Sequence, residues 1–436
     1  MKKSVTTLYI FLFCLASNSF LAIKQSAWFL LLAIPLFIFI NIFAGTKNPP
    51  SKIRRIRICS HGALILTVFE FSVLISIVCH IIFLLTADLT SVLWSILFCT
   101  AAHFLLFWNG IICIYITSSQ LGIKYRVLGA VCEMIPIVNI IVLNKLIKIS
   151  REEAEYEFSR ELHNTLLIEG KHCDTKYPIL LVHGVFFRDF KYFNYWGRIP
   201  EELELCGADI YYGNHQSAAS VADCAAELTA RIKEIVSETG CEKVNIIAHS
   251  KGGLDCRYAL SILDAAPMVA SLTTINTPHR GCIFADYLLD TIPEKTKISV
   301  AKAYNTALKK LGDPNPDFLA AVENLTASFC TELDTKLGVP DGIFCQSIGS
   351  VQRKARSGKF PLNFTYHLVK HFDGPNDGLV STDSFDWGEK HCLLTTKGKR
   401  CISHGDMIDL NRENIRDFDV RRFYVELVND LKKRGL

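Results

Sequence analysis

K-V-N-I-I-A-H-S-K-G-G-L-D, residues 243–255, is the stretch that decides how this chain folds. Lys243–Ala248 is a mostly apolar run, as expected of a strand covered on both faces of a parallel sheet. It passes without a spacer into His249-Ser250-Lys251-Gly252-Gly253, and a helical stretch, Leu254–Leu263, follows. Ser250 therefore ends a buried strand and begins a helix, with Ala248 two residues before it and Gly252 two after. A turn this sharp has no room for bulk at either flank, and it presents the hydroxyl outward. The helix amino terminus behind it favours negative charge developing there. The first glycine of the G-x-S-x-G elbow pattern is alanine here, the next smallest residue.

Around this centre, Pro178–His183, Ala208–Tyr212, Leu272–Ile275 and Gly342–Ile348 read as further strands, and Val221–Thr239 reads as a helix. Phe364–Val369 reads as one more strand, which would make His367 a core histidine. Strand and helix alternating at this spacing predict a doubly wound, mostly parallel α/β sheet.

A serine nucleophile needs a base and a group to orient that base, and in such a fold the chain order is serine, acid, histidine. Asp377 in F-D-G-P-N-D-G-L-V-S and His404 in C-I-S-H-G-D-M-I-D-L occupy suitable loops. Asp373 and Asp383 are rival acids, the first reading as a loop brace; His367, His371 and His391 are rival bases. An oxyanion hole needs two convergent backbone N–H groups, one after the nucleophile and one after an early strand. Lys251 and Val185 hold those positions. Phe186 or Phe187 supplies the second donor if the loop is rotated; otherwise their side chains line an apolar acyl pocket.

The chain has 436 residues, 50% hydrophobic and 21% charged, against a usual charged fraction of about 25%. Such a composition excludes a disordered or collagen-like chain. Residues 1–149 carry twelve lysines and arginines against three acids, Glu70, Asp88 and Glu133, leaving the remainder net negative. The mild overall basicity therefore belongs to one half and does not point to nucleic acid. That half holds apolar runs at Val5–Ala22, Ala27–Phe43, Gly62–Thr86 and Val92–Thr117, each near the ~20 residues a span requires. The first run also has the flanks of a signal peptide, but a poor cleavage site. Val127–Leu143, interrupted by Glu133 and Pro136, reads as a re-entrant or interfacial segment rather than a fifth span. Glu70, His80, His103 and Asn109 inside these runs read as interhelical hydrogen-bonding groups or functional sites. The expected organisation is a transmembrane module over 1–149, a helical connector over 150–174 and a catalytic α/β domain over 175–436. Lys2, Lys3, the cationic loop 47–57, Lys124 and Arg126 put the loops beside them, and the catalytic domain, on the cytoplasmic side. Sixteen cysteines without a CxxC pair or zinc spacing read as reduced, packed thiols.

H-G-V-F-F-R-D, N-Y-W-G-R-I-P, Y-Y-G-N-H-Q-S-A, A-H-S-K-G-G-L-D-C-R, T-P-H-R-G, N-D-G-L-V-S and S-H-G-D-M-I-D occur in that order over residues 175–430. Together they resemble the bacterial true-lipase branch of the α/β-hydrolases. The resemblance implies Ser250 as nucleophile, Asp377 as acid and His404 as base, and a helical lid over 284–329. It also implies a structural calcium ion beside the histidine loop, with Asp406 as ligand. Leu410 and Asn411 stand where a second ligand is expected, and calcium takes six to eight oxygens. The alternative is that Asp406 braces the loop backbone; no other cofactor is expected. His279 in T-P-H-R-G reads as a packing histidine. The expected activity is a membrane-anchored lipase or esterase acting on lipid esters. An acyltransferase on the same fold, or an idle hydrolase-like scaffold, are the alternatives.

Overall fold

The computed structural model describes residues 3–45, 50–185 and 194–436. Phe186 and Phe187, like Lys2 and Lys47, lie outside the described residues. The chain divides into two units, Met1–Leu166 and Leu167–Leu436.

In the second unit six strands form one parallel sheet: β1 (Ile179–Val182), β2 (Ile210–Tyr212), β3 (Val244–His249), β4 (Val269–Ile275), β5 (Phe344–Ser350) and β6 (Lys390–Leu394). Their order is β2-β1-β3-β4-β5-β6. Every residue of β1, β3 and β4 is buried, the apolar ones together with the polar Asn245, His249, Ser271, Thr273 and Thr274. Ala248 of β3 pairs with Val182 of β1 and with Thr274 of β4, so Ser250 emerges at the carboxyl edge of the central strands. Helices cover both faces. Trp196, Leu203, Tyr424 and Val428 pack on one side; Leu228, Ile232, Ala259 and Leu260 pack on the other. A buried aliphatic side chain of this kind contributes about 1.5–3 kcal/mol. The helix Val221–Thr239 starts where Ser220 Oγ accepts from Asp223 N and stops at Gly240, whose φ is 68°. This is the doubly wound α/β-hydrolase architecture.

Two expectations need correction. Phe364–Val369 is not a strand but part of the helix Leu362–Asp373, which buries Tyr366 and Val369 three residues apart and leaves Phe364, His367 and Lys370 exposed. His367 is thus no core residue. β6 was not apparent in the sequence because K-H-C-L-L is short, polar at its start and largely exposed on the sheet edge.

Between β4 and β5 the chain makes four helices, Ile283–Thr291, Glu294–Lys310, Phe318–Glu323 and Ala327–Asp334. They occupy the segment expected to form a lid. All sixteen cysteines are free, and only Cys392 is exposed.

The first unit is helical. Arg54–Thr86 and Leu89–Thr117 are long and apolar enough to cross a membrane. The first apolar run is two helices, Lys3–Ser17 and Phe20–Gln25. It breaks where Asn18 Nδ2 donates to Cys14 O at 3.0 Å and Ser19 Oγ to Ala16 O at 2.7 Å, side chains competing with the helix for its own carbonyls. Val127–Leu143 is likewise split, between the helices Gly122–Cys132 and Val138–Glu169. The latter helix runs through most of the expected connector. The polar groups in the apolar helices join neighbours: His103 to Ser72 at 3.0 Å, His80 to Ser95 at 3.1 Å, Asn109 to Asn41 O at 2.6 Å, and Asn144 to Glu70 at 2.8 Å.

Candidate active site

Ser250 has φ 56° and ψ −133°. A residue with a β-carbon held at such a φ costs of order 1–3 kcal/mol, which the surroundings must overcome. Here Ser250 N donates to Ile275 O at 2.9 Å and Gly253 N to Ser250 O at 3.1 Å. The flanks are closed: a β-carbon on Gly252 would run into the His183 carbonyl oxygen, and one on Gly253 into the Thr277 side chain. On Gly184 it would lie 2.8 Å from Ser250 Cβ. Small residues are needed because the His183 main chain, the Thr277 side chain and Ser250 itself press against the turn.

Val185 follows β1 and Lys251 opens the helix Lys251–Ile262. Among the described residues neither backbone N–H is spent on a protein acceptor. The Lys251 side chain is buried, its Nζ 2.7 Å from Asp255 Oδ1. Burial pushes the Asp255 carboxyl up to about 6 while the ammonium draws it back down.

His404 Nδ1 lies 2.7 Å from Asp377 Oδ2. A carboxylate oxygen only accepts, so Nδ1 carries the proton and Nε2 is left with a lone pair in the neutral ring. Asp377 is wholly buried. Its Oδ2 also accepts from Asn276 Nδ2 at 2.5 Å, and its Oδ1 accepts from Leu379 N at 2.9 Å and Val380 N at 2.8 Å. His404 N donates to Asp377 O at 3.0 Å, which ties the two loops together along the main chain. No hydrogen bond joins Ser250 to His404 among the described residues; unliganded sites of this type are often loose at this contact.

Asn276 was not singled out in the sequence, and neither was a second histidine beside the serine. His249 Nε2 donates to the His404 carbonyl oxygen at 3.2 Å, so its Nδ1 accepts the Tyr195 hydroxyl at 2.7 Å. Burial, then the neighbouring His404, holds His249 well below the usual histidine range, hence neutral.

The rivals lie elsewhere. Asp373 accepts from Ile283 N at 2.8 Å and Phe284 N at 3.1 Å, bracing the start of the first inserted helix. Asp383 meets Arg280 through its backbone carbonyl. His391 Nδ1 pairs with Ser347 Oγ at 2.9 Å on the sheet edge, and His367 and His371 are exposed. His279 is buried between Arg257 Nη1 at 3.2 Å and Thr274 Oγ1 at 3.0 Å.

Asp406 does not fit a calcium site. Its Oδ1 accepts from Arg400 Nη2 at 2.6 Å, and its Oδ2 from Ser403 N at 2.7 Å and Ser403 Oγ at 2.6 Å. Among the described residues no three acidic, histidine or cysteine side chains gather to hold a metal. A guanidinium already supplies the positive charge at this carboxylate. Arg198 adds a second clamp on the same loop, with Nε and Nη2 at 2.6 and 2.8 Å from the Asp409 carboxylate.

Ser250 opens on a chamber of about 300 Å³ lined by Val185, Leu288, Ile292, Val300, Phe318 and Leu379, among other mainly apolar residues. Most of the lining comes from the helices between β4 and β5. Ser250 and His404 are only 5% and 6% exposed, so the site is covered.

No family model matches the chain. A curated triacylglycerol lipase of Pseudarthrobacter phenanthrenivorans is 37% identical over 167 residues, 35% of this chain and 51% of the relative. The chain thus spans about half the length of that relative. A triacylglycerol lipase of Vibrio cholerae is 29% identical over 294 residues, 62% of this chain and 92% of the relative. Among solved structures, the mature Bacillus licheniformis lipase aligns with a TM-score of 0.43 at 22% identity, covering 58% of this chain and 92% of that one. The unit Leu167–Leu436 carries the strand order of the α/β-hydrolase fold, and the chain is similar in sequence to triacylglycerol lipases of bacteria.

Proposed function

We propose that this chain is a membrane-anchored serine hydrolase that cleaves carboxylic esters of lipids. The observation that carries the reading is the buried Asp377–His404 pair, 2.7 Å apart, in one unit with a strained serine that opens on an apolar chamber. Ser250 Oγ attacks the ester carbonyl while His404 Nε2 takes its proton and then gives it to the leaving alcohol. Asp377 holds the ring in the tautomer this needs and stabilises its charged form. The backbone N–H groups of Val185 and Lys251 receive the oxyanion. Water, activated by the same histidine, then frees the acid. Acyl carbons fit the chamber, and the helices Ile283–Thr291 and Glu294–Lys310 move as a lid for a substrate to enter.

Anchoring rests on Arg54–Thr86 and Leu89–Thr117. Their outward residues include Leu74, Leu85, Trp94 and Ile116, all more than half exposed, which suits lipid better than water. The cationic loops flanking them orient the catalytic unit toward the cytoplasm by the positive-inside rule, and sixteen free cysteines accord with a reducing compartment. Turnover of short esters, mono-, di- and triacylglycerols and phospholipids, in detergent and in vesicles, tests the reading. Hydrolysis of none of them contradicts it.

A further inference from the structure

Residues 351–372, V-Q-R-K-A-R-S-G-K-F-P-L-N-F-T-Y-H-L-V-K-H-F, contain five lysines and arginines and no acid. Arg353, Lys354, Arg356, Lys359 and Lys370 are all exposed. In their midst Phe360 and Phe364 are 74% and 73% exposed, with ring centroids 5.8 Å apart in an edge-to-face pair. The helix Leu362–Asp373 turns Tyr366 and Val369 inward, while Phe364, His367, Lys370 and His371 form its outer face. Among the described residues the acid that pairs with these cations is Glu413, 2.9 Å from Lys359. Asp373, at the end of the helix, is turned to Ile283 and Phe284.

Two phenyl rings exposed in water are unfavourable, and like charges gathered around them are unfavourable too. Both costs are relieved by a partner that is apolar beneath and negative at its surface. We propose that this segment is a docking surface for an anionic lipid bilayer, with Phe360 and Phe364 entering the headgroup–acyl boundary and the surrounding cations meeting lipid phosphates. Basic residues flanking exposed aromatic rings are the pattern of interfacial membrane binding. The segment is also fastened to the candidate site. Thr365 Oγ1 donates to the carbonyl of Gly378, the residue after Asp377. Docking therefore brings the acid loop to the lipid surface, where the lipid esters of the proposed function reside. The surface itself does not depend on that function.

The test uses the full chain in vesicles whose lipids carry brominated acyl chains. Phe360→Trp and Phe364→Trp each add one fluorophore at an exposed position, read as the increment over the parent protein. The increment should be quenched in phosphatidylglycerol-containing vesicles, and the quenching should weaken in high salt and in pure phosphatidylcholine. Changing Lys354, Arg356 and Lys370, which pair with no acid among the described residues, together to glutamate should abolish it, with the melting transition retained. An increment unquenched in anionic vesicles overturns the proposal, and would point to a protein partner for the patch. Quenching that ignores lipid charge overturns its electrostatic half. In parallel, Phe360→Ser/Phe364→Ser should lower the ratio of vesicle-lipid to soluble-ester turnover roughly tenfold. If neither ester is hydrolysed, the hydrolase reading fails while the quenching still reports on the surface.

Discussion

Arg400 Nη2 donates to Asp406 Oδ1 at 2.6 Å, two residues beyond the candidate catalytic histidine, and its Nε reaches Glu413 at 3.0 Å. Its Nη1 donates to the carbonyls of Ser357 at 2.8 Å and Cys401 at 2.6 Å. A fixed guanidinium thus does for the histidine loop what a bound cation would do. Chelators such as EDTA should leave ester turnover unchanged. Arg400→Ala should destabilise the protein by about 3 kcal/mol, since it leaves a buried carboxylate without its partner. Turnover lost to chelation and restored by calcium would contradict this account.

Asp377→Asn should lower kcat by several powers of ten by permitting the wrong histidine tautomer, with the fold kept. Asp373→Ala should instead cost stability of about 1 kcal/mol, the worth of a helix cap, with far less effect on rate. The two variants, compared by kcat and by thermal melting, separate the roles. If Asp373→Ala is the more damaging to kcat, the acid has been misassigned.

Much of this was legible in the sequence, because backbone geometry dictates residue type there. The strand into Ser250 is mostly apolar, Asn245 and His249 being its buried polar residues, and the glycines after it sit where the His183 carbonyl and the Thr277 side chain leave no space for a β-carbon. What the sequence did not carry were contacts made by long-range closure. Asn276 reaches Asp377 across 101 positions, and His249 reaches His404 across 155. Nothing local to either residue announces such a partner. The helix Leu362–Asp373 was misread because N-F-T-Y-H-L-V has the aromatic and β-branched character of a strand, while its burial follows the helical period.

Gly252→Ala should destabilise by about 1–3 kcal/mol, because the new methyl meets the His183 carbonyl oxygen and both backbones must move. Gly338→Ala, where a β-carbon would meet nothing within 4 Å, should be tolerated. Melting temperatures of the two variants make the comparison; equal effects would mean that the elbow is less tightly packed than described.

Lys251→Ala should cost about 3–5 kcal/mol by leaving the Asp255 carboxylate buried without its partner. Replacing both, as Lys251→Met/Asp255→Leu, should recover most of that stability. The Asp255 carboxyl is raised to about 6, above its unfolded value. The folded protein therefore binds the extra proton, and this group's contribution to stability falls as pH rises from about 4 toward 6. Denaturant unfolding of parent and double variant across that range should show the parent losing more. A double variant no more stable than Lys251→Ala would contradict the pairing.

The central claim is that Ser250 is the nucleophile, and a fluorophosphonate probe tests it most directly. The active full-length protein should acquire a single phosphonyl adduct, mapped by mass spectrometry to Ser250, with turnover lost in step with labelling. Ser250→Ala should neither label nor turn over, while keeping the parent's melting transition. An adduct on another residue, or substantial turnover by Ser250→Ala, would contradict the account.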